Sequence, residues 1–236
     1  MYGTLYIVST PIGNHNDISA RAIVTIRSCD ILICEEAKPA RRLLSQLQIQ
    51  KDFILLNEHT TKDATSEALD LLETGKTVAL LSDDGTPLLA DPGSELVSEC
   101  ITMGIKIIPI PGASSLLAAL VASGFSLLSF TFAGFLPRDK ADRKRAASDY
   151  RSRKETLVFL EAPYRLNQLL QDLSDGIGKE RNAAICIDLT MPTERFERGT
   201  LGMLLKHFME HPFKGEFVVV VEGSRGKFLP NTTRTH

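Results

Sequence analysis

Short strand-like apolar runs alternate with segments of helical period along almost the whole chain, and no other feature constrains its fold as much. Parallel strands need a crossover to join them, and the economical crossover is a helix, so this alternation predicts α/β architecture with mainly parallel sheets. In the first half, strands are expected at residues 5–9, 31–34, 53–56, 77–82 and 105–110, with helices between them. Asp17 is an expected N-cap for a helix over 18–28, and Asp63 for one that runs to Gly75, while Gly104 closes a helix begun at Ser94. Pro109, Pro111 and Gly112 break regularity before an Ala/Leu-rich helix over 114–123, which divides the chain into an N-terminal α/β domain, 1–111, and a C-terminal one, 112–236. The second half continues with strands at 129–133, 156–160, 183–188 and 216–222, and helices at about 140–153, 164–174 and 200–210. Residues 223–236 read as a frayed tail.

Composition narrows the class further. The longest dense apolar run, residues 116–122, is far short of the roughly 18–20 residues that cross a bilayer. The N-terminus MYGTLYIVSTPIG has neither a basic leader nor a long apolar core, so it reads as a first strand of a cytoplasmic protein. Cys29, Cys34, Cys100 and Cys186 fit neither a CxxC knuckle nor a disulfide framework and are expected to be buried thiols. The net charge of −2 conceals a split, −6 over residues 1–110 and +4 over 111–236. Residues 138–154 (RDKADRKRAASDYRSRK) hold eight basic and three acidic side chains, which serve either as a solvated helix face or as a patch that attracts phosphates.

The common phosphate cradles GxGxxG and GxxxxGK[ST] are missing, as are GxSxG, HExxH and the zinc deaminase signature. His207 and His211 have i, i+4 spacing but no third ligand nearby in sequence, so no metal site is expected. What remains is a set of unusual loops at the carboxyl ends of strands, where ligands bind in open α/β sheets. The first is STPIGNHNDIS (9–19), stiffened by Pro11 and Gly13. The second, LSDDGTPLLADPG (81–93), packs two adjacent acids, two Gly and two Pro into fixed geometry too elaborate for a plain connection. PGASS (111–115) sets two hydroxyls at a helix start, either as caps or as ligand contacts. LEAPYR (160–165) places an acid, a phenol and a guanidinium after a strand; Glu161 and Arg165 are spaced for an ion pair at a helix start.

In this order, the four loops resemble the tetrapyrrole methylase superfamily of S-adenosylmethionine-dependent methyltransferases, over nearly the whole chain. The branch they resemble is the ribosomal RNA small-subunit methyltransferase I family, through LYIVSTPIGN, SDDGTPLLADPG, PGASSLLAAL, FAGFLPR, TLVFLEAPYRL, ERGTL and KGEFVVVVEG. The resemblance implies methylation of a cytidine ribose 2′-oxygen in small-subunit rRNA, a homodimer, and S-adenosylmethionine held in a cleft between two α/β domains. Matching cofactor positions are Pro11, Asp84, Gly85, Thr86, Pro87, Leu89, Ser114, Ser115, Leu160, Ile187, Asp188, Leu189, Lys214, Gly215 and Glu216. Substrate contacts are expected from Arg138, Arg143, Lys144, Arg145, Tyr164 and Arg165.

The chain departs from the branch pattern where EDTRHT becomes Glu35-Glu36-Ala37-Lys38-Pro39-Ala40, where a histidine becomes Tyr164, and where ELTK becomes Asp188-Leu189-Thr190-Met191. Methyl transfer from a sulfonium is an in-line displacement, so positioning dominates, and a base helps a ribose hydroxyl attack. Glu58 or His59 is expected to take the acceptor proton, with Glu36 and Lys38 at the neighbouring strand end and Lys38 or Arg165 orienting phosphate or ribose. Two other readings stay open: a methyltransferase acting on a tetrapyrrole or another small acceptor, and a cofactor-binding, RNA-associated protein without turnover.

Overall fold

A computed structural model describes residues 1–224, which divide into two compact units, one formed by Met1–Ser114 and one beginning at Ser115. The tail over 225–236 lies outside the described residues, but Ser224 before it is anchored: its backbone N–H donates to the Arg153 carbonyl at 2.7 Å.

The first unit runs β1 (Thr4–Val8), α1 (Ala20–Ser28), β2 (Ile31–Cys34), α2 (Ala37–Gln46), β3 (Phe53–Leu55), α3 (Thr61–Glu73), β4 (Thr77–Leu81), α4 (Ser94–Met103) and β5 (Lys106–Ile110). Its sheet order is β3-β2-β4-β1-β5, with every neighbouring pair parallel. Strands covered on both faces need apolar side chains on both, and alternate residues feed two cores. Leu32, Ala79 and Leu81 pack with Ala22 and Ile26 of α1 and Leu44 of α2. Ile33, Val78 and Leu80 pack with Leu72 of α3 and Leu96 of α4. The chain therefore leaves neighbouring strands β1 and β4 toward opposite faces, and that switch opens a crevice at their carboxyl ends.

Two expected caps are corrected. Asp17 lies in a separate 3-10 turn (His15–Asp17), and the α1 cap is Ser19, whose hydroxyl accepts from the Ala22 N–H at 3.1 Å. Asp63 sits inside the first turn of α3, not before it, because the Asn57 side chain starts the turn early by accepting from the N–H groups of His59 and Thr60. Gly104 does close α4, at φ 72°.

The second unit runs α5 (Ser115–Ser123), β6 (Phe130–Gly134), α6 (Lys140–Asp149), β7 (Thr156–Leu160), α7 (Leu166–Gly176), β8 (Asn182–Ile187), β9 (Arg195–Thr200), α8 (Leu201–Glu210) and β10 (Phe217–Val221). Here the expectation of a mainly parallel sheet fails. In the order β6-β7-β10-β8-β9 only β6 and β7 run parallel; β10 is antiparallel to both neighbours, and β8 and β9 form a hairpin. Strand β9 is not in the sequence reading, because RFERGT on an exposed edge carries little apolar period and owes its extended form to the ladder from β8. All four cysteines are free and buried, and burial pushes the thiols up, to about 11 for Cys29 and about 12 for Cys34 and Cys186.

Candidate cofactor and acceptor site

In the first unit the loops after β1, β4 and β5 are tied into one assembly. The Thr10 N–H donates to the Gly85 carbonyl at 2.8 Å, and the Gly85 N–H returns to the Thr10 hydroxyl at 3.1 Å. That hydroxyl donates to the Ser82 carbonyl at 3.0 Å. Thr86 donates to the Ala113 carbonyl at 3.0 Å and lies 3.1 Å from the Ser9 hydroxyl. Gly85 has φ 88°, and a Cβ there would come within 2.9 Å of the Ile12 side chain, so the turn favours glycine. Pro11 and Pro87 are buried beneath, Asp84 and Leu89 are exposed, and Ser114 is half-buried. Ser9 and Thr10, which the sequence reading did not single out, are what hold this cradle in shape.

A cluster of carboxylates lies at the ends of β2, β3 and β4. Glu35, directly after β2, is pushed up to about 7 by burial first and then by Asp91, Asp83, Glu36 and Glu58. Burial also raises Asp83 and Asp91, and Asp83 accepts from the Glu36 N–H at 3.4 Å. One buried oxygen of Asp91, Oδ2, has no hydrogen-bond partner. Among the described residues no Lys or Arg forms an ion pair with Glu35, Asp83 or Asp91. Of the expected catalytic residues, Glu36 and Glu58 thus come within electrostatic reach of Glu35, while Lys38 and His59 are exposed beside them. Glu35 and Asp91 were missed; the one available signal was an acid immediately after the apolar strand ILIC.

In the second unit, β10 is antiparallel to β7 and β8, so its first residues meet the loops that leave them. The Asp188 N–H donates to the Glu216 carbonyl at 2.9 Å and the Gly215 N–H to the Pro163 carbonyl at 3.2 Å. Asp188 and Thr190 take positive φ, 49° and 66°, a strained turn held by Thr193 donating to Asp188 and by the Thr190 N–H donating to Glu194. Burial, with help from Asp188, raises the Glu216 carboxyl. Leu160 is half-buried, Ile187 and Leu189 are buried, Lys214 is exposed, and Ser115 opens α5. Glu161 and Arg165 form the expected i, i+4 ion pair at 3.5 Å, and Tyr164 projects at 72% exposure.

The basic run needs one correction. Arg138, Lys144 and Arg145 are exposed, but Arg143 is buried. Its Nε lies 2.5 Å from Asp172, and its guanidinium also donates to the Arg138 carbonyl at 2.9 Å, so it joins α6 to α7 and is not offered to a substrate. The His207 and His211 rings stand edge to face at 5.0 Å, and among the described residues no group of three or more His, Cys, Asp or Glu is placed to hold a metal.

The residue profile of the Tetrapyrrole (Corrin/Porphyrin) Methylases matches residues 4–205. The chain is 42% identical over 97% of its length to "Ribosomal RNA small subunit methyltransferase I" of Halalkalibacterium halodurans, covering 78% of that protein. It is 39% identical to the protein of that name from Thermotoga maritima, covering 94% of this chain and 99% of the relative. Its fold is shared with the methyltransferase CobJ at a TM-score of 0.69 and 16% identity, over 94% of this chain and 95% of that one. It is shared likewise with a Thermus thermophilus uroporphyrin-III C-methyltransferase complexed with S-adenosyl homocysteine, at 0.63 and 18%, over 93% and 97%. The chain belongs to the tetrapyrrole methylase family. It is an S-adenosylmethionine-dependent methyltransferase. The structure fits that cofactor: a cluster of carboxylates without a paired cation, one oxygen of it orphaned, suits a ligand that carries a sulfonium and an ammonium.

Proposed function

We propose that this methyltransferase modifies the ribose 2′-oxygen of a cytidine in small-subunit rRNA, in the cytoplasm and as a homodimer. The observation that carries this reading is near-full-length similarity, at 37–43% identity, to relatives named for small-subunit rRNA methylation. The exposed apolar side chains Leu128 and Phe130, beside and on edge strand β6, are available to a second copy.

S-adenosylmethionine supplies a methyl group on a positively charged sulfur. Pro11, the Asp84–Leu89 stretch, Ser114, Ser115, Leu160, the Ile187–Leu189 turn and Lys214–Glu216 are the proposed cofactor contacts. Glu35 is the proposed proton acceptor for the ribose hydroxyl, since a carboxylate near 7 both ionises and holds a proton at physiological pH. Glu36, Glu58 and His59 flank it, and Lys38 and Arg165 are assigned to orienting phosphate or ribose. Arg138, Lys144, Arg145 and Tyr164 are assigned to RNA.

The test is transfer of labelled methyl from S-adenosylmethionine to small ribosomal subunits from cells lacking the protein, followed by nucleoside digestion and mass spectrometry. Labelled 2′-O-methylcytidine is expected; no RNA label alongside intact cofactor binding defeats the reading. The substitutions Ala37-Lys38-Pro39-Ala40 and Tyr164 favour the second reading, a different acceptor, which such a negative result would support. A second expectation concerns α6. Replacing Lys144 and Arg145 together by Ala leaves the fold intact, because both are exposed, and makes log affinity for RNA less steep against log salt by between one and two. An unchanged slope removes α6 from the RNA interface.

A further inference from the structure

A groove of about 930 Å³ runs between α2 and strand β3, lined on one side by Ala37, Arg41, Leu44 and Ser45 and on the other by residues 48–53 and Leu55. Strand β3 is the edge of its sheet, bonded to β2 alone, so nothing in this unit covers the outer wall. One end, at Ala37 and Leu55, adjoins Glu36, the first turn of α2 with Lys38, and the Asn57–His59 turn, the proposed acceptor end. The volume lies within the range of ligand clefts, roughly 300–1,000 Å³.

The lining has the chemistry of a single-strand nucleic-acid channel. Arg41 is an exposed cation with no ion pair among the described residues, and Lys51 adds a second charge, held in place by the carbonyls of Arg27 and Cys29. Against them stands Asp52, so the groove is positive in a half of the chain that is −6 overall. Phe53 presents a half-buried ring for a base to stack on, and Gln48, Gln50 and Ser45 offer amide and hydroxyl groups to base edges.

An independent observation concerns Gln48. Helix α2 ends in a Schellman turn, with the Ile49 N–H donating to the Leu44 carbonyl at 2.9 Å and the Gln48 N–H to the Ser45 carbonyl at 3.2 Å. That turn puts Gln48 at φ 53°, a conformation that glycine adopts freely and glutamine only at a cost. Gln48 thus lines the groove from a backbone conformation that costs it strain.

We infer that the α2–β3 groove binds the single-stranded RNA that flanks the methylated nucleotide, with Arg41 on a phosphate, Phe53 beneath a base and Gln48 on a base edge. The inference rests on the rRNA reading above. Two variants of the full chain test it, Arg41→Glu and Gln48→Gly, assayed for methyl transfer to a protein-free rRNA fragment and, in parallel, for S-adenosylmethionine affinity and melting temperature. Arg41→Glu is expected to raise KM for RNA about tenfold and to lower the salt slope by about one, with kcat and cofactor affinity unchanged. Gln48→Gly is expected to raise KM for RNA while holding or raising the melting temperature, an outcome that loss of folding cannot imitate. Unchanged KM in both variants overturns the inference. So does an effect confined to assembled subunits, which would assign the groove to a protein partner. If the unsubstituted protein labels neither the fragment nor small ribosomal subunits, the rRNA reading itself fails and the groove assignment falls with it; if it labels RNA and the variants match it, the groove assignment alone fails.

Discussion

Glu35→Gln is expected to cut kcat roughly 10²- to 10⁴-fold at pH 8, the range for losing a general base. The same substitution should make the folded protein more stable at that pH. An unfolded glutamate titrates near 4.5, and in the folded chain burial and four neighbouring acids move Glu35 up to about 7. The folded state therefore binds the proton more tightly. Its advantage is complete below about 4.5 and disappears as pH rises through about 7, where the ionised carboxylate works against the fold. The full shift corresponds to about 3 kcal/mol, and solvent screening of this partly exposed group reduces it to about 1 kcal/mol. Melting curves at pH 5 and pH 8 should show wild type losing ground to Glu35→Gln by about 2 to 4 °C as pH rises. In a pH–rate profile the ascending limb of kcat/KM near 7 should vanish in the variant; a variant that retains wild-type kcat at pH 8 ends the assignment.

Arg143→Ala should remove about 3 to 5 kcal/mol of stability, because Asp172 is left as a buried charge without its cation. Little can relax around it. At Gly176 a Cβ would come within 2.6 Å of the Ala147 side chain, so α6 and α7 are already at backbone contact. Against a total of about 5–15 kcal/mol such a loss is large, and a drop in melting temperature of roughly 6 to 20 °C is expected. The double replacement Arg143→Met with Asp172→Leu should recover most of it, since apolar groups of similar size substitute well for buried ion pairs. If the recovered double variant methylates RNA at the wild-type rate, Arg143 acts on the fold alone; a selective loss of RNA affinity would return it to the interface.

The position of Arg143 shows why the basic run was only partly legible. Eight cations in seventeen residues read as one patch, yet which of them faces inward depends on Asp172, twenty-nine residues further on. Strand β2 and strand β7 were readable to the residue because each is an unbroken apolar run between polar ends. Strand β9 was not, since a polar edge strand takes its conformation from its partner. The carboxylate cluster was hidden for a related reason. Residues 35, 58, 83 and 91 are distant in sequence and meet because the order β3-β2-β4 sets their strand ends side by side.

The sequence alone determined the α/β class, the first sheet's strands, the buried cysteines and the family, because periodicity, apolar runs and loops rich in Gly and Pro are local properties of the chain. Tertiary structure alone decided the direction of the second sheet's strands, the inward turn of Arg143 and the raised proton affinity of Glu35. Each of these depends on groups far apart in sequence and close in space, where burial and unscreened charge act on neighbours that no local pattern specifies.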